Sequence, residues 1–159
     1  MKDSGTFFDA IRSGDIELIL KMMDVDPSLV YAKDQRGSTP LILAAYYGNA
    51  KIVELILDNG AEIDEKDASG NTALMGVCFK GLLPVAKILI DKGANVNIKN
   101  AMGATCLIFA VSFNREEIVK LLISQGADRS ARDARGNTAL DHARMQGIAS
   151  LIDLLEKMD

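Results

Sequence analysis

His142 is the only histidine in the chain, and it directly follows Asp141. A carboxylate supporting an imidazole is one way to make a general base. Consecutive helical side chains point about 100° apart, however, so these two do not pair easily. The plainer expectation is an imidazole at the edge of the core or partly exposed. Cys78 and Cys106 are the only cysteines, too few for a disulfide framework or a metal cluster, and small buried thiols are expected. Asp64 and Glu65 are adjacent carboxylates with no second group nearby to shape a pocket around them. No glycine-rich run ends in Gly-Lys-Ser or Gly-Lys-Thr, so a phosphate loop is absent. These residues predict a protein without catalysis, metal or cofactor.

Composition sets the outer limits. The chain has 159 residues, of which 48% are hydrophobic and 25% charged, as expected for one globular domain over 1–159. Lys and Arg number 18 against 22 Asp and Glu, giving a formal charge of -4, which argues against a general affinity for nucleic acid. No apolar run approaches the roughly 18 to 20 residues needed to cross a bilayer. The start, Met1-Lys2-Asp3-Ser4-Gly5, has no signal-peptide pattern, although a leader already removed would leave no trace in it. A cytoplasmic protein is expected.

The elements that position these residues recur at a fixed interval. Four segments open alike, at Asp34-Gln35-Arg36-Gly37, Asp67-Ala68-Ser69-Gly70, Asn100-Ala101-Met102-Gly103 and Asp133-Ala134-Arg135-Gly136, each 33 residues after the last. The same register carries Thr39-Pro40-Leu41, Thr72-Ala73-Leu74, Thr105-Cys106-Leu107 and Thr138-Ala139-Leu140. A period of this length marks a solenoid, because one such unit cannot bury its own apolar face and must stack on neighbours.

Within the unit, turn, first helix, tight reversal and second helix follow from the punctuation. Eleven of the 13 glycines fall at three repeat positions: the opening turn, the end of a first helix and the end of a second. Each Thr is placed to cap the helix after it, and Pro40 suits a first helical turn. For the second unit this predicts helices over 40–47 and 50–59, the latter with Ile52, Val53, Leu55, Ile56 and Leu57 on its buried side. Gly76 falls inside a helix and Pro84 near the start of the next, so the helix over 73–80 is expected to be the least stable internal element. Hydrogen exchange there as slow as over 40–47 would contradict this.

The unit resembles those of the ankyrin repeat family. The family's D-x-x-G-x-T-P-L-H-x-A-A run, then G, a V-x-x-L-L helix and G-A, is matched best by residues 34–66. These read D-Q-R-G-S-T-P-L-I-L-A-A-Y-Y-G and then I-V-E-L-I-L-D-N-G-A. The resemblance covers nearly the whole chain and implies an all-α solenoid of about five stacked units, with turn "fingers" along one side. It divides the chain into an N-terminal cap repeat (1–33), full repeats (34–66, 67–99, 100–132) and a C-terminal cap repeat (133–159). The caps are atypical, with a longer link over 24–32 and polar Asp153, Glu156 and Lys157 on the last helix. The family's histidine is replaced by Ile42, Met75, Ile108 and Asp141, so any hydrogen bond that it supplies is missing.

The resemblance also implies that partners meet the fingers and the outward side of the first helices, which together form a concave groove. Carried onto this sequence, the finger edge holds Lys33, Lys66, Lys99 and Arg132, with Arg36, Met102 and Arg135 on the turns. The last turn of each first helix holds Tyr46 and Tyr47, Phe79 and Lys80, Phe113, and Met145. Beyond the first unit only Phe109 among the aromatics lies elsewhere. The basic residues could simply balance Asp34, Asp67 and Asp133, and the aromatics could fill space between first helices. Their combination on one face favours a docking surface, with aromatic anchors and a basic edge that steers a locally acidic partner. The expected function is a monomeric, non-catalytic protein-binding module acting as adaptor, inhibitor or regulatory partner. Binding of nucleic acid or another polyanion along the basic edge, or service beside a neighbouring enzyme, are the alternatives. No membrane partner is expected.

Overall fold

The computed structural model describes residues 4–157. Among them are ten α-helices, one 3-10 helix and no strand. The helices come in pairs: α1 (Ser4–Ser13) and α2 (Ile16–Val25), α3 (Pro40–Tyr46) and α4 (Ala50–Asp58), α5 (Ala73–Lys80) and α6 (Leu83–Asp91), α7 (Cys106–Ser112) and α8 (Glu116–Ser124), α9 (Ala139–Gln146) and α10 (Ala149–Glu156). The odd-numbered helices pack side by side in one row, α1 on α3 through to α7 on α9, and α4, α6 and α8 form a second row behind it. The longer link after α2 contains a 3-10 turn, Pro27–Tyr31, opened by Asp26, whose side chain accepts the Ser28 N–H.

Local chemistry starts each inner helix. Thr39, Thr72, Thr105 and Thr138 each accept, through Oγ1, the N–H three residues on, at 3.1, 3.3, 3.2 and 3.1 Å. Each such cap contributes about 1 kcal/mol. The second row is treated unevenly. Asp15 and Asn49 cap α2 and α4 through their side chains, whereas α6, α8 and α10 begin without a side-chain cap. A continuous core joins the rows, with Leu41, Leu74 and Leu107 at one repeat position and Ile56, Leu89 and Leu122 at another, all essentially inaccessible.

The positive-φ glycines are the eleven that recur in register, and Asn114 (φ 55°) takes the reversal position that is Gly14, Gly48, Gly81 or Gly147 in the other units. Asparagine is among the few residues that enter this region at low cost. Gly76 is different, for its φ is not positive, and a Cβ placed there would meet only the Tyr46 ring, at 3.9 Å. Gly76→Ala should therefore raise stability by about 0.5 to 1 kcal/mol, read as a higher denaturant midpoint at unchanged slope.

The fingers are closed by their first residue. One side-chain oxygen of Asp34, Asp67, Asn100 or Asp133 accepts two backbone N–H groups, from the second and fourth residues after it, at 2.8 to 3.0 Å. Successive fingers are then tied together. Ala68, Ala101 and Ala134 donate their N–H to the carbonyls of Arg36, Ser69 and Met102 in the preceding finger, at 3.1, 3.0 and 2.9 Å.

Candidate interaction face

The fingers and the inner row enclose an open groove of about 1430 Å³ toward the N-terminal end. Lys33, Arg36, Tyr46, Tyr47 and Phe79 line it, joined by Phe8, Asp9 and Arg12 from α1. A smaller recess of about 200 Å³ follows toward the C-terminal end, where Met102, Phe113 and Arg135 meet Ile108 and Phe109. Phe109 lines both. Lys66, Lys80, Lys99, Arg132 and Met145 line neither. The contribution of α1 was not expected from the sequence, because the first unit lacks the motif that sets the register.

Tyr46, Tyr47, Phe79 and Phe113 form two pairs while staying between 37% and 52% exposed. Tyr46 and Tyr47 meet edge to face with centroids 5.9 Å apart, and Phe79 meets Phe113 of the next unit in the same way at 4.5 Å. Lys80 places its ammonium 4.3 Å from the centre of the Tyr46 ring. The helix ends beneath Phe79 and Phe113 are pinned by the following unit. Arg115 Nε and Nη2 donate to the Phe79 carbonyl at 3.1 and 3.0 Å, and Gln146 Nε2 donates to the Ser112 carbonyl at 2.7 Å. Rings held this way expose apolar surface with little freedom left to lose on binding. Met102 and Met145 are still more exposed, at 63%.

The basic edge behaves differently from a row of charges balancing the finger aspartates. Asp34, Asp67 and Asp133 use their carboxylates on turn N–H groups, and among the described residues none forms an ion pair with a Lys or Arg. Two of the four side chains at the edge position, those of Lys33 and Lys99, instead reach along the stack to the following unit. Lys33 pairs with Glu65 at 2.8 Å, and Lys99 Nζ donates to the Arg132 carbonyl at 3.0 Å. Arg132 Nη1 donates to the Gly136 carbonyl and lies 3.9 Å from Asp141. Arg36, Lys66 and Arg135 enter no side-chain hydrogen bond or ion pair with described residues.

The acidic residues, the histidine and the cysteines are engaged in contacts within the stack. Asp141 completes a capping box: Thr138 N–H donates to Asp141 Oδ2 at 2.9 Å, and Asp141 N–H donates to Thr138 Oγ1. The Thr138 N–H and hydroxyl hold its carboxyl below the usual carboxylate range. His142 pairs with Asp133 instead, Nε2 to Oδ2 at 2.7 Å, with the side chains 21% and 12% exposed. Desolvation would raise the Asp133 carboxyl, but hydrogen bonds from the Asn137 N–H, His142 and the Arg135 N–H outweigh it and hold the group low. The ring makes no hydrogen bond to a hydroxyl or thiol among the described residues. Periodicity offered one hint of this pair, since His142 stands where other units carry Leu43, Gly76 and Phe109. Cys78 and Cys106 are fully buried, and the Cys106 hydrogen bond and burial push the Cys78 thiol well above its ordinary value, away from the reactive thiolate. Asp64 accepts the Asn95 N–H of the next unit, and Glu65 holds Lys33. Among the described residues no group of three His, Cys, Asp or Glu side chains could hold a metal, and no helix is long and apolar enough to cross a membrane.

Known proteins agree with this architecture. The family model for ankyrin repeats in three copies matches residues 7–100 and again 74–158. The chain is 34% identical over 58 residues to ankyrin repeat and SAM domain-containing protein 6 of Mus musculus, covering 36% of this chain and 7% of that protein. It is 40% identical over 55 residues to ankyrin repeat, SAM and basic leucine zipper domain-containing protein 1 of Callithrix jacchus, covering 35% of this chain and 12% of that one. These alignments thus span only a small part of the relatives' own lengths. Repeats of this kind generally serve as protein-binding modules and are generally not catalytic. With matched segments running from residue 7 to residue 158 over an all-helical stack, the chain belongs to the ankyrin repeat family.

Proposed function

We propose that the chain binds another protein through the concave side of its fingers and inner helices, as an adaptor, inhibitor or regulatory partner with no catalytic step of its own. The observation that carries this reading is the set of half-exposed rings at Tyr46, Tyr47, Phe79 and Phe113 along the groove and the recess beside it, with the helix ends under Phe79 and Phe113 pinned by the following unit. Pre-ordered aromatic groups are the usual energetic anchors of protein interfaces. Arg36 and Arg135 at the groove, without ion pairs, support a partner with an acidic surface. Lys66, Lys99 and Arg132 add positive potential along the finger edge, and Lys80, Met102 and Met145 extend the contact surface. The polar last helix supports a monomer, and the composition supports a cytoplasmic setting.

The test is to capture partners from the source cell's lysate on the immobilised chain and then measure their affinity directly. Tyr47→Ala and Phe113→Ala together should weaken the complex by about 2 kcal/mol or more, with the helical circular dichroism and thermal midpoint preserved. A partner that binds both proteins equally well would remove the anchor role from these rings.

A further inference from the structure

The smaller recess has a chemistry of its own. It lies between the turns at 100–103 and 133–136, and its apolar wall is formed by Met102, Ile108, Phe109 and Phe113. Its volume of about 200 Å³ is that of several water molecules at about 30 Å³ each, which is the scale of one amino-acid side chain. Water against such a wall finds few hydrogen-bond partners, so replacing it with an apolar group is favourable.

Charge then selects among occupants. Asp133 is the only carboxylate lining the recess, and it is already committed: Oδ1 accepts the Arg135 and Asn137 N–H groups, and Oδ2 meets the His142 ring. Arg135 is the reverse case, a guanidinium with no ion pair among the described residues. An incoming cation would face that guanidinium and a carboxylate with its oxygens engaged. An incoming carboxylate would find an unpaired fork of donors. We propose that this recess seats one apolar side chain of leucine or methionine size from an acidic segment of a partner protein, and that a neighbouring Asp or Glu of that segment pairs with Arg135. This rests on the concave face being a protein-binding surface and names the partner's chemistry at one point of it.

Methyl NMR on the full chain, with labelled Met and Ile methyl groups, tests the assignment. The probes are the capped peptide Glu-Glu-Leu-Glu-Glu, its Leu→Ala version and the version with Lys for every Glu. The expected result is saturable movement of the Met102 and Ile108 methyls with the first peptide. Its apparent Kd should weaken about tenfold or more in the Leu→Ala peptide and in the Arg135→Ser protein. Ser69 holds the equivalent position in an earlier unit, so this substitution keeps the turn. An equal response to the Lys peptide overturns the proposal. So does movement confined to Ile42 and Met75 in the larger groove, an outcome that leaves the protein-binding reading standing. Silence at all four methyls overturns the proposal too, while lysate capture decides the broader reading separately.

Discussion

Gly103→Ala is expected to cost roughly 3 kcal/mol or more, whereas Gly136→Ala, at the same position of the next unit, should cost only about 1 kcal/mol. Both glycines have φ in the left-handed region, 73° and 83°, where a Cβ alone costs about 1 to 2 kcal/mol. They differ in what lies beyond. A Cβ on Gly103 would stand 2.9 Å from the Ala134 amide nitrogen, in backbone that cannot rotate away. That nitrogen donates to the Met102 carbonyl, so the clash also disrupts the link between fingers. Past Gly136 nothing lies within 4 Å of the added atom. Gly37 and Gly70 face the next finger at the same 2.9 Å and should behave like Gly103. Urea unfolding of the two variants side by side checks the difference, and equal losses would mean that finger spacing relaxes freely.

Asp133→Ala should be the second large loss, about 2 to 3 kcal/mol, because it strips the acceptor from two turn N–H groups and removes the His142 partner. Asp133→Asn should cost far less, since Asn100 closes the preceding finger with the same pair of N–H bonds. The two variants also separate geometry from charge. The folded state holds the Asp133 carboxyl below its ordinary value. A depressed carboxyl stabilises above its unfolded-state pKa, about 3.9, and that contribution disappears as pH falls through the lower folded value. Stability of the native chain should therefore fall below about pH 4 with a share due to this residue, and Asp133→Asn should flatten that part of the profile. An unchanged acid limb would show that other carboxylates dominate it.

The features legible in the sequence were those that recur. Thr39, Thr72, Thr105 and Thr138 declared the helix starts because the same hydroxyl does the same work four times, and the glycines declared the turns. The buried cysteines followed from that register, whereas the groove's inner wall and the rings along it came from the resemblance to ankyrin repeats, carried onto these positions. Contacts made once were hidden. The Asp133–His142 pair joins a finger to a helix across nine residues, and no other unit has a histidine at the matching place. Lys33 and Lys99 were visible as an edge of charge, yet their reach to the next finger depends on the spacing between units, which no single repeat contains. Phe8, Asp9 and Arg12 were missed as groove residues because α1 lies in the unit without the motif.

The uneven capping of the outer row gives the stack a direction. The outer helices α2 and α4 carry their own start signals, the side chains of Asp15 and Asn49. The later outer helices α6, α8 and α10 lack that signal and depend on a finished neighbour to dock against. The order of the outer row is therefore expected to rest on its own caps at α2 and α4 and on docking at α6, α8 and α10. Drawn apart from its two ends, the chain should unravel from the last pair first.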